Sequence, residues 1–176
     1  TPAHVAAHNG HEGCLRVLHE IGAAASLAAV TPNGLTPAHC AAAQGHEGCL
    51  RVLHELLSPM IQPHIDTART LPFTAVDSET YIAQLEAIRS LSGAAADGNT
   101  AAHEAATNGE LGCVRLLVAI GGATALMNDI RADPSLLESE YPALLTASPP
   151  ILDLATKQAW LVYRLQRVVG ADADAA

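Results

Sequence analysis

The apolar positions fall into short helical sets that recur along the chain. Leu50, Leu53 and Leu57 share one face of a helix predicted over about 47–57. Ahead of it, His39, Ala41 and Ala42 belong to a shorter helix whose small side chains let neighbouring helices approach closely. Thr36 suits the N-cap of that helix. Pro37 suits its first position, where a missing N–H costs nothing. Gly45 stands where the first helix ends and a left-handed backbone is favoured. The same order of signals begins at Thr1. Residues 1–23 and 36–58 therefore predict two helix pairs, the second stopped by Ser58-Pro59, and 98–122 predict a third.

The recurrence extends to the letters themselves. His46-Glu47-Gly48-Cys49-Leu50-Arg51-Val52-Leu53-His54-Glu55 repeats the string His11-Glu12-Gly13-Cys14-Leu15-Arg16-Val17-Leu18-His19-Glu20. A looser copy is Glu110-Leu111-Gly112-Cys113-Val114-Arg115-Leu116-Leu117. The opening Thr-Pro-Ala-His stands at Thr1 and Thr36, 35 positions apart, and returns as Thr100-Ala101-Ala102-His103, 64 positions further on. A period in the low thirties marks a repeat array. Helices this short do not hold alone in water, so each pair must lean on its neighbours. Thr31-Pro32-Asn33-Gly34 and Ala96-Asp97-Gly98-Asn99 predict short hairpin-like fingers between pairs.

Two stretches break the pattern. Residues 59–95 lack the opening signal, but Tyr81, Leu85, Ile88 and Leu91 keep helical spacing. They read as the outer helix of a decayed repeat over 79–92, with a short first helix near 68–76; the alternative is an inserted loop with one helix. Residues 126–150 read as a linker with a short helix starting at Asp133-Pro134-Ser135, broken by Pro142, Pro149 and Pro150. Residues 151–169 then predict one helix, with Leu154, Leu161, Leu165 and Val168 as an apolar stripe beside Lys157, Arg164 and Arg167. Residues 170–176 predict a disordered tail.

The repeat resembles the ankyrin repeat. Thr36-Pro37-Ala38-His39, Ala41-Ala42, Gly45-His46 and Leu50, Val52 and Leu53 carry the resemblance in the clearest unit, and Gly22-Ala23 supplies the ending of the first. The resemblance implies an all-α solenoid of helix-turn-helix units with short fingers, three clear and one degenerate, plus a C-terminal helix. The units fall near 1–35, 36–67, 68–97 and 98–125. It implies no catalytic, cofactor or metal site. It implies a protein-binding concave surface made by the first helices and the fingers. Position by position, that surface takes Val5, His8 and Asn9, then Cys40, Ala43 and Gln44, then Glu104, Thr107 and Asn108. The fingers add Asn33, Leu35, Asp97 and Asn99. His4, His39 and His103 are expected to bond to backbone and Thr hydroxyls between adjacent units.

Composition narrows the partners. Eighteen acidic residues against nine basic ones give a net charge of −9, and no basic stripe of the kind a nucleic-acid binder shows is visible. No stretch is long and unbroken enough to span a bilayer. A monomer with a protein partner is expected. Cys14, Cys49 and Cys113 share one repeat position, a core register and not a disulfide framework. No signal peptide opens the chain, so an intracellular setting, cytoplasmic or nuclear, is expected. The chain opens at Thr1 inside the pattern, so it reads as a segment of a longer protein with an uncapped N-terminal face.

His46 with Cys49, and His11 with Cys14, have metal-like spacing. Equivalent positions in stacked repeats lie roughly 8–10 Å apart, too far to converge on one ion. His103-Glu104 begins a zinc-protease pattern, but position 107 is Thr. Cys40 reads as a partly exposed thiol. A second resemblance lies at Ile151-Leu152-Asp153-Leu154-Ala155-Thr156-Lys157-Gln158-Ala159-Trp160-Leu161. Asp153, Lys157 and Trp160 match the lead-in helix of HECT-type ubiquitin ligases, while Gln158 and Leu161 depart from it. It implies the substrate-recruiting part of an ankyrin-containing ligase whose catalytic domain lies beyond residue 176.

Overall fold

The computed structural model describes residues 1–70, 88 and 91–174. Three helix pairs come first: α1 (Pro2–His8) with α2 (Glu12–Glu20), α3 (Pro37–Ala43) with α4 (Glu47–Thr70), and α5 (Ala101–Thr107) with α6 (Leu111–Ala119). Then follow α7 (Thr124–Ala132), α8 (Leu136–Ser139), α9 (Pro142–Thr146) and α10 (Leu154–Asp174). A single 3-10 turn, Ala24–Ser26, follows α2. The first helices α1, α3 and α5 pack side by side in one row, and α2, α4 and α6 in a second.

Two of the first helices, α3 and α5, are started by the same device. Thr36 N–H donates to His39 Nδ1 at 3.2 Å, and Thr100 N–H to His103 Nδ1 at 3.1 Å. The histidine thus fills the place that Glu or Gln takes in the usual capping box. Gly10, Gly45 and Gly109 close the first helices with the same φ of +74°. Alanines line the joint between rows, with Ala3, Ala7, Ala41, Ala42, Ala102 and Ala105 fully buried. Leu15, Leu50, Leu53, Val114 and Leu117 fill the space beneath them.

Both fingers form where the turn chemistry places them. Thr31 N–H donates to Leu35 O at 2.9 Å, and Ala95 N–H to Asn99 O at 2.7 Å. The fingers also touch: Ala96 N–H donates to Asn33 O at 2.9 Å. Gly34 is needed there, since it holds φ +78° and a Cβ would lie 2.8 Å from the Ala96 nitrogen.

Several expectations are corrected. Helix α4 does not stop at Ser58-Pro59 but runs through Pro59 and Pro63 to Thr70. Proline removes a helical hydrogen bond and crowds the preceding turn. Here Leu57, Ile61 and Ile65 are buried in continuation of Leu50 and Leu53, and that packing carries the helix across.

The decayed repeat expected over 68–97 is not a layer between the second and third pairs. Helix α5 packs on α3 as fully as α1 does, and α6 packs on α4. His39 Nε2–H donates to Asn99 O at 3.1 Å, as His4 Nε2–H donates to Leu35 O at 2.9 Å. Leu35 and Asn99 each precede a capping Thr, so the stacking register passes directly from 36–43 to 99–107. The helix expected over 79–92 lies mainly outside the described residues. Of the helix expected near 68–76, residues 68–70 belong to α4 and the rest lie outside them too.

The expected linker over 126–150 is instead packed as α7, α8 and α9, with Leu126, Met127, Ile130, Leu137, Tyr141 and Leu144 buried. Of these, α7 packs mainly on α10. Helix α10 starts at Leu154 rather than 151 and runs to Asp174, past the stop expected at 169. Gly170 within it costs only about 1 kcal/mol relative to Ala, and the alanines that follow favour helix. Leu154, Leu161 and Leu165 are exposed, so the apolar stripe does not face the array. Thr156 is buried instead, and Trp160 packs against the core edge.

Candidate protein-binding surface

The first-helix row repeats three solvent-facing columns. Counting from each capping Thr, the first column is Val5, Cys40 and Glu104. The second is His8, Ala43 and Thr107, and the third is Asn9, Gln44 and Asn108. Val5, His8, Asn9, Gln44, Thr107 and Asn108 are exposed, while Cys40, Ala43 and Glu104 are half-buried. The intervening Ala6, Ala7, Ala41, Ala42, Ala105 and Ala106 are buried. The helix period of 3.6 thus gives each unit one narrow outward strip.

Some of these side chains are already committed. Asn9 Nδ2–H donates to Val5 O and Asn108 Nδ2–H to Glu104 O, each at 2.8 Å. Thr107 Oγ1–H donates to His103 O at 2.9 Å. These bonds hold the amides over their own helix ends and leave their carbonyl oxygens turned elsewhere. In the fingers, Asn33 and Asp97 are exposed, while Leu35 and Asn99 are half-buried. Asp97 accepts from Asn99 N–H at 3.0 Å and from Asn99 Nδ2–H at 3.1 Å, which fixes the tip of the second finger. Leu35 and Asn99 serve the stack through their backbone carbonyls, as above.

The cap histidines bind the units together. In His39, Nδ1 accepts from Thr36 N–H, so Nε2 carries the proton it gives Asn99 O. The ring is therefore neutral. Burial lowers its pKa, and the Asn99 bond and the carboxylates of Glu104 and Asp97 offset this only in part. His103 departs from the pattern: its Nε2 lies 2.9 Å from the carboxylate of Asp129 on α7, and Tyr141 meets its ring edge-on at 6.4 Å. Asp129 and Tyr141 were not anticipated. The spacing of Leu126, Met127 and Ile130 after Gly121-Gly122 is the signal that marks α7.

The thiols divide. Burial pushes the Cys49 thiol up to about 11 and the Cys113 thiol up to about 12, with nearby carboxylates adding to it. Burial also raises Cys40. Cys14 is exposed, so the shared core register holds for two of the three. It fails at Cys14 because, among the described residues, none covers that side of the first pair. His46 Nε2–H donates to His8 O at 3.0 Å, so it serves the joint between units. Farther on, Asp153 caps α10 by accepting from Thr156 N–H at 2.7 Å. Burial pushes its carboxyl up, but the bonds from Thr156 and Arg131 outweigh that and hold it below the usual range. Arg164 and Arg167 pair with Glu138 of α8 and tie the middle of α10 down. Among the described residues, no single helix is long and apolar enough to cross a membrane.

Paired helices in two rows, capped by histidines and joined by fingers, define a helical repeat array. The family description "Ankyrin repeats (3 copies)" matches residues 1–66, and "Ankyrin repeat" matches residues 97–130. Together they cover more than half of the chain. The chain belongs to the ankyrin repeat family, whose repeats are protein–protein interaction modules. The second match takes in most of α7. No curated protein matches the chain.

Proposed function

We propose that this array recognises a partner protein on the surface made by α1, α3 and α5 and the two fingers, and that it acts by binding, not by catalysis. The observation that carries this reading is the threefold recurrence of outward positions on a rigid alanine-packed row. His8, Gln44 and Thr107 stand at or beside the ends of three first helices, all exposed, with His8 and Thr107 in one column and Gln44 in the next. Val5, Asn9, Cys40, Ala43, Glu104 and Asn108 flank them, and Asn33, Leu35, Asp97 and Asn99 extend the surface along the fingers. Small and polar residues of this kind fit the backbone and polar side chains of a protein better than a nucleic-acid phosphate chain. The absence of a basic stripe supports the same choice. Four free thiols support an intracellular setting.

The test is a pull-down with the chain and with the triple variant His8→Ala, Gln44→Ala, Thr107→Ala. Partner recovery falls with the triple variant while the urea midpoint is unchanged. Arg51→Ala, on the second-helix row, retains the partner. Equal recovery by all three moves the site off the first-helix row.

The lead-in resemblance gives a second reading, the substrate-recruiting part of an ankyrin-containing ubiquitin-protein ligase. It is supported by Asp153 starting α10 as a cap and by Leu154, Leu161 and Leu165 standing exposed along that helix. The reading frame past Ala176 decides it. Several hundred further codons ending in a HECT-type Cys segment support it, and a stop codon removes it.

A further inference from the structure

Among the described residues, none covers the outward side of α10. Leu154, Leu161, Val162 and Leu165 are 72%, 59%, 53% and 64% exposed there, with Gln158 exposed among them. Leu154, Gln158, Leu161 and Leu165 follow one another at four, three and four positions. That is the alternating spacing at which one helix packs along another, with a polar residue inside the seam.

The opposite side of α10 is held down. Thr156 is fully buried and accepts from Arg131 Nε–H at 3.1 Å. Trp160 and Tyr163 are half-buried and stacked at 5.5 Å. Arg164 lies over Trp160 and Arg167 over Tyr163, and Glu138 of α8 pairs with both guanidiniums. The apolar stripe is therefore presented on a fixed bed, and a docking partner need not order it.

Charge narrows the occupant. The chain carries a net −9, yet Leu154 to Arg167 hold Lys157, Arg164 and Arg167 and no Asp or Glu. Lys157 and Arg164 are seven positions apart, so they border the stripe on the same side, next to Leu161. Ala155, Val162 and Gln166 form the other border, which is uncharged. Glu138 is shared between two arginines, so the basic border keeps a positive excess.

We propose that α10 docks an amphipathic helix of another protein, whose aliphatic residues seat along Leu154 to Leu165 and whose Asp or Glu side chains face Lys157 and Arg164. A second copy of α10 is disfavoured, because its own stripe brings no carboxylate to that border. A membrane surface is disfavoured too. Trp160 packs against the array instead of pointing outward, and a net −9 is repelled by anionic lipid. The site lies on a different element from the first-helix row, so either can fail alone.

The probe is a synthetic helical peptide of three heptads with Leu at the a and d positions and Glu at e and g, followed by fluorescence anisotropy. Its control carries Lys in place of Glu. The chain is expected to bind the acidic peptide about tenfold more tightly than the basic one, and raised salt should narrow the gap. Leu161→Asp should weaken the acidic peptide by about tenfold or more while leaving the urea midpoint unchanged, since that side chain is already in water. Lys157→Glu should reduce the preference for the acidic peptide, and Arg51→Ala on the second-helix row should leave it unchanged. No binding of the acidic peptide, equal binding of the two peptides, or undiminished binding by the Leu161→Asp variant overturns the proposal. So does self-association in sedimentation equilibrium that Leu161→Asp abolishes, which gives the stripe to a second copy. Binding to vesicles of phosphatidylcholine and phosphatidylserine that Leu161→Asp abolishes gives it to a membrane and overturns the proposal equally.

Discussion

Residues 11–20 and 46–55 spell the same ten letters, and both fold as a helix over their last nine residues. Leu15 and Leu50 are both fully buried, because each faces the first helix of its own pair. Cys14 and Cys49, or Val17 and Val52, share letters and backbone but not surroundings, because their burial is given by the preceding pair. Local sequence thus sets the helix and its inward face. The neighbour sets everything on the side faces. A stacked array has no single core that a residue simply joins, and stability is a sum over units and joints.

Substitutions that treat the two copies alike should separate them. The largest effect is expected at Leu53→Ala, which should cost about 2–5 kcal/mol, because that side chain is fully buried between helices. Leu18→Ala, the same change in the first copy, should cost clearly less, since Leu18 is half-buried. Urea titration of both checks the difference, and equal losses would break the comparison. Caps come next. Thr100→Ala removes a buried N-cap and should cost about 0.5–2 kcal/mol, while Thr1→Ala at the exposed end should cost less.

The pH dependence of His39 is a finer probe. Its folded pKa lies below the ordinary 6.5, so the unfolded chain binds the proton more readily. Its contribution is complete above pH 6.5 and is lost as pH falls through the folded value. Protonation also removes the Nδ1 acceptor that Thr36 N–H uses. The melting temperature should drop on acidification from pH 7 to about 5, and His39→Gln should flatten that slope. The smallest effect is expected at Val17→Ser, which should stay within about 0.5 kcal/mol of the parent, because the side chain is half in water already. Val52→Ser should cost several times more.

The sequence was legible where structure is local. The Thr-to-His cap, the Gly45 stop, the fingers and the three clear pairs follow from residues a few positions apart. It was illegible where partners are remote. Nothing in the letters after Leu57 shows that Ile61 and Ile65 carry α4 past two prolines. The 64 positions between Thr36 and Thr100 suggested room for a repeat, whereas His39 and Asn99 meet with none between. Helices α7 to α9 lack the repeat's opening letters, but the spacing of Leu126, Met127 and Ile130 already marked an apolar face. The outward columns from Val5 to Asn108 follow from period alone, whereas the chemistry of what they bind does not.

The array stands on burial by a neighbouring unit, and the three register cysteines report it directly. Site-resolved modification of the native chain by a small thiol reagent at neutral pH should find Cys14 reacting at the rate of an open thiol. Cys49 and Cys113, buried and with raised pKa values, should react only through opening of the array. Equal rates at Cys14 and Cys49 would contradict the stacked arrangement.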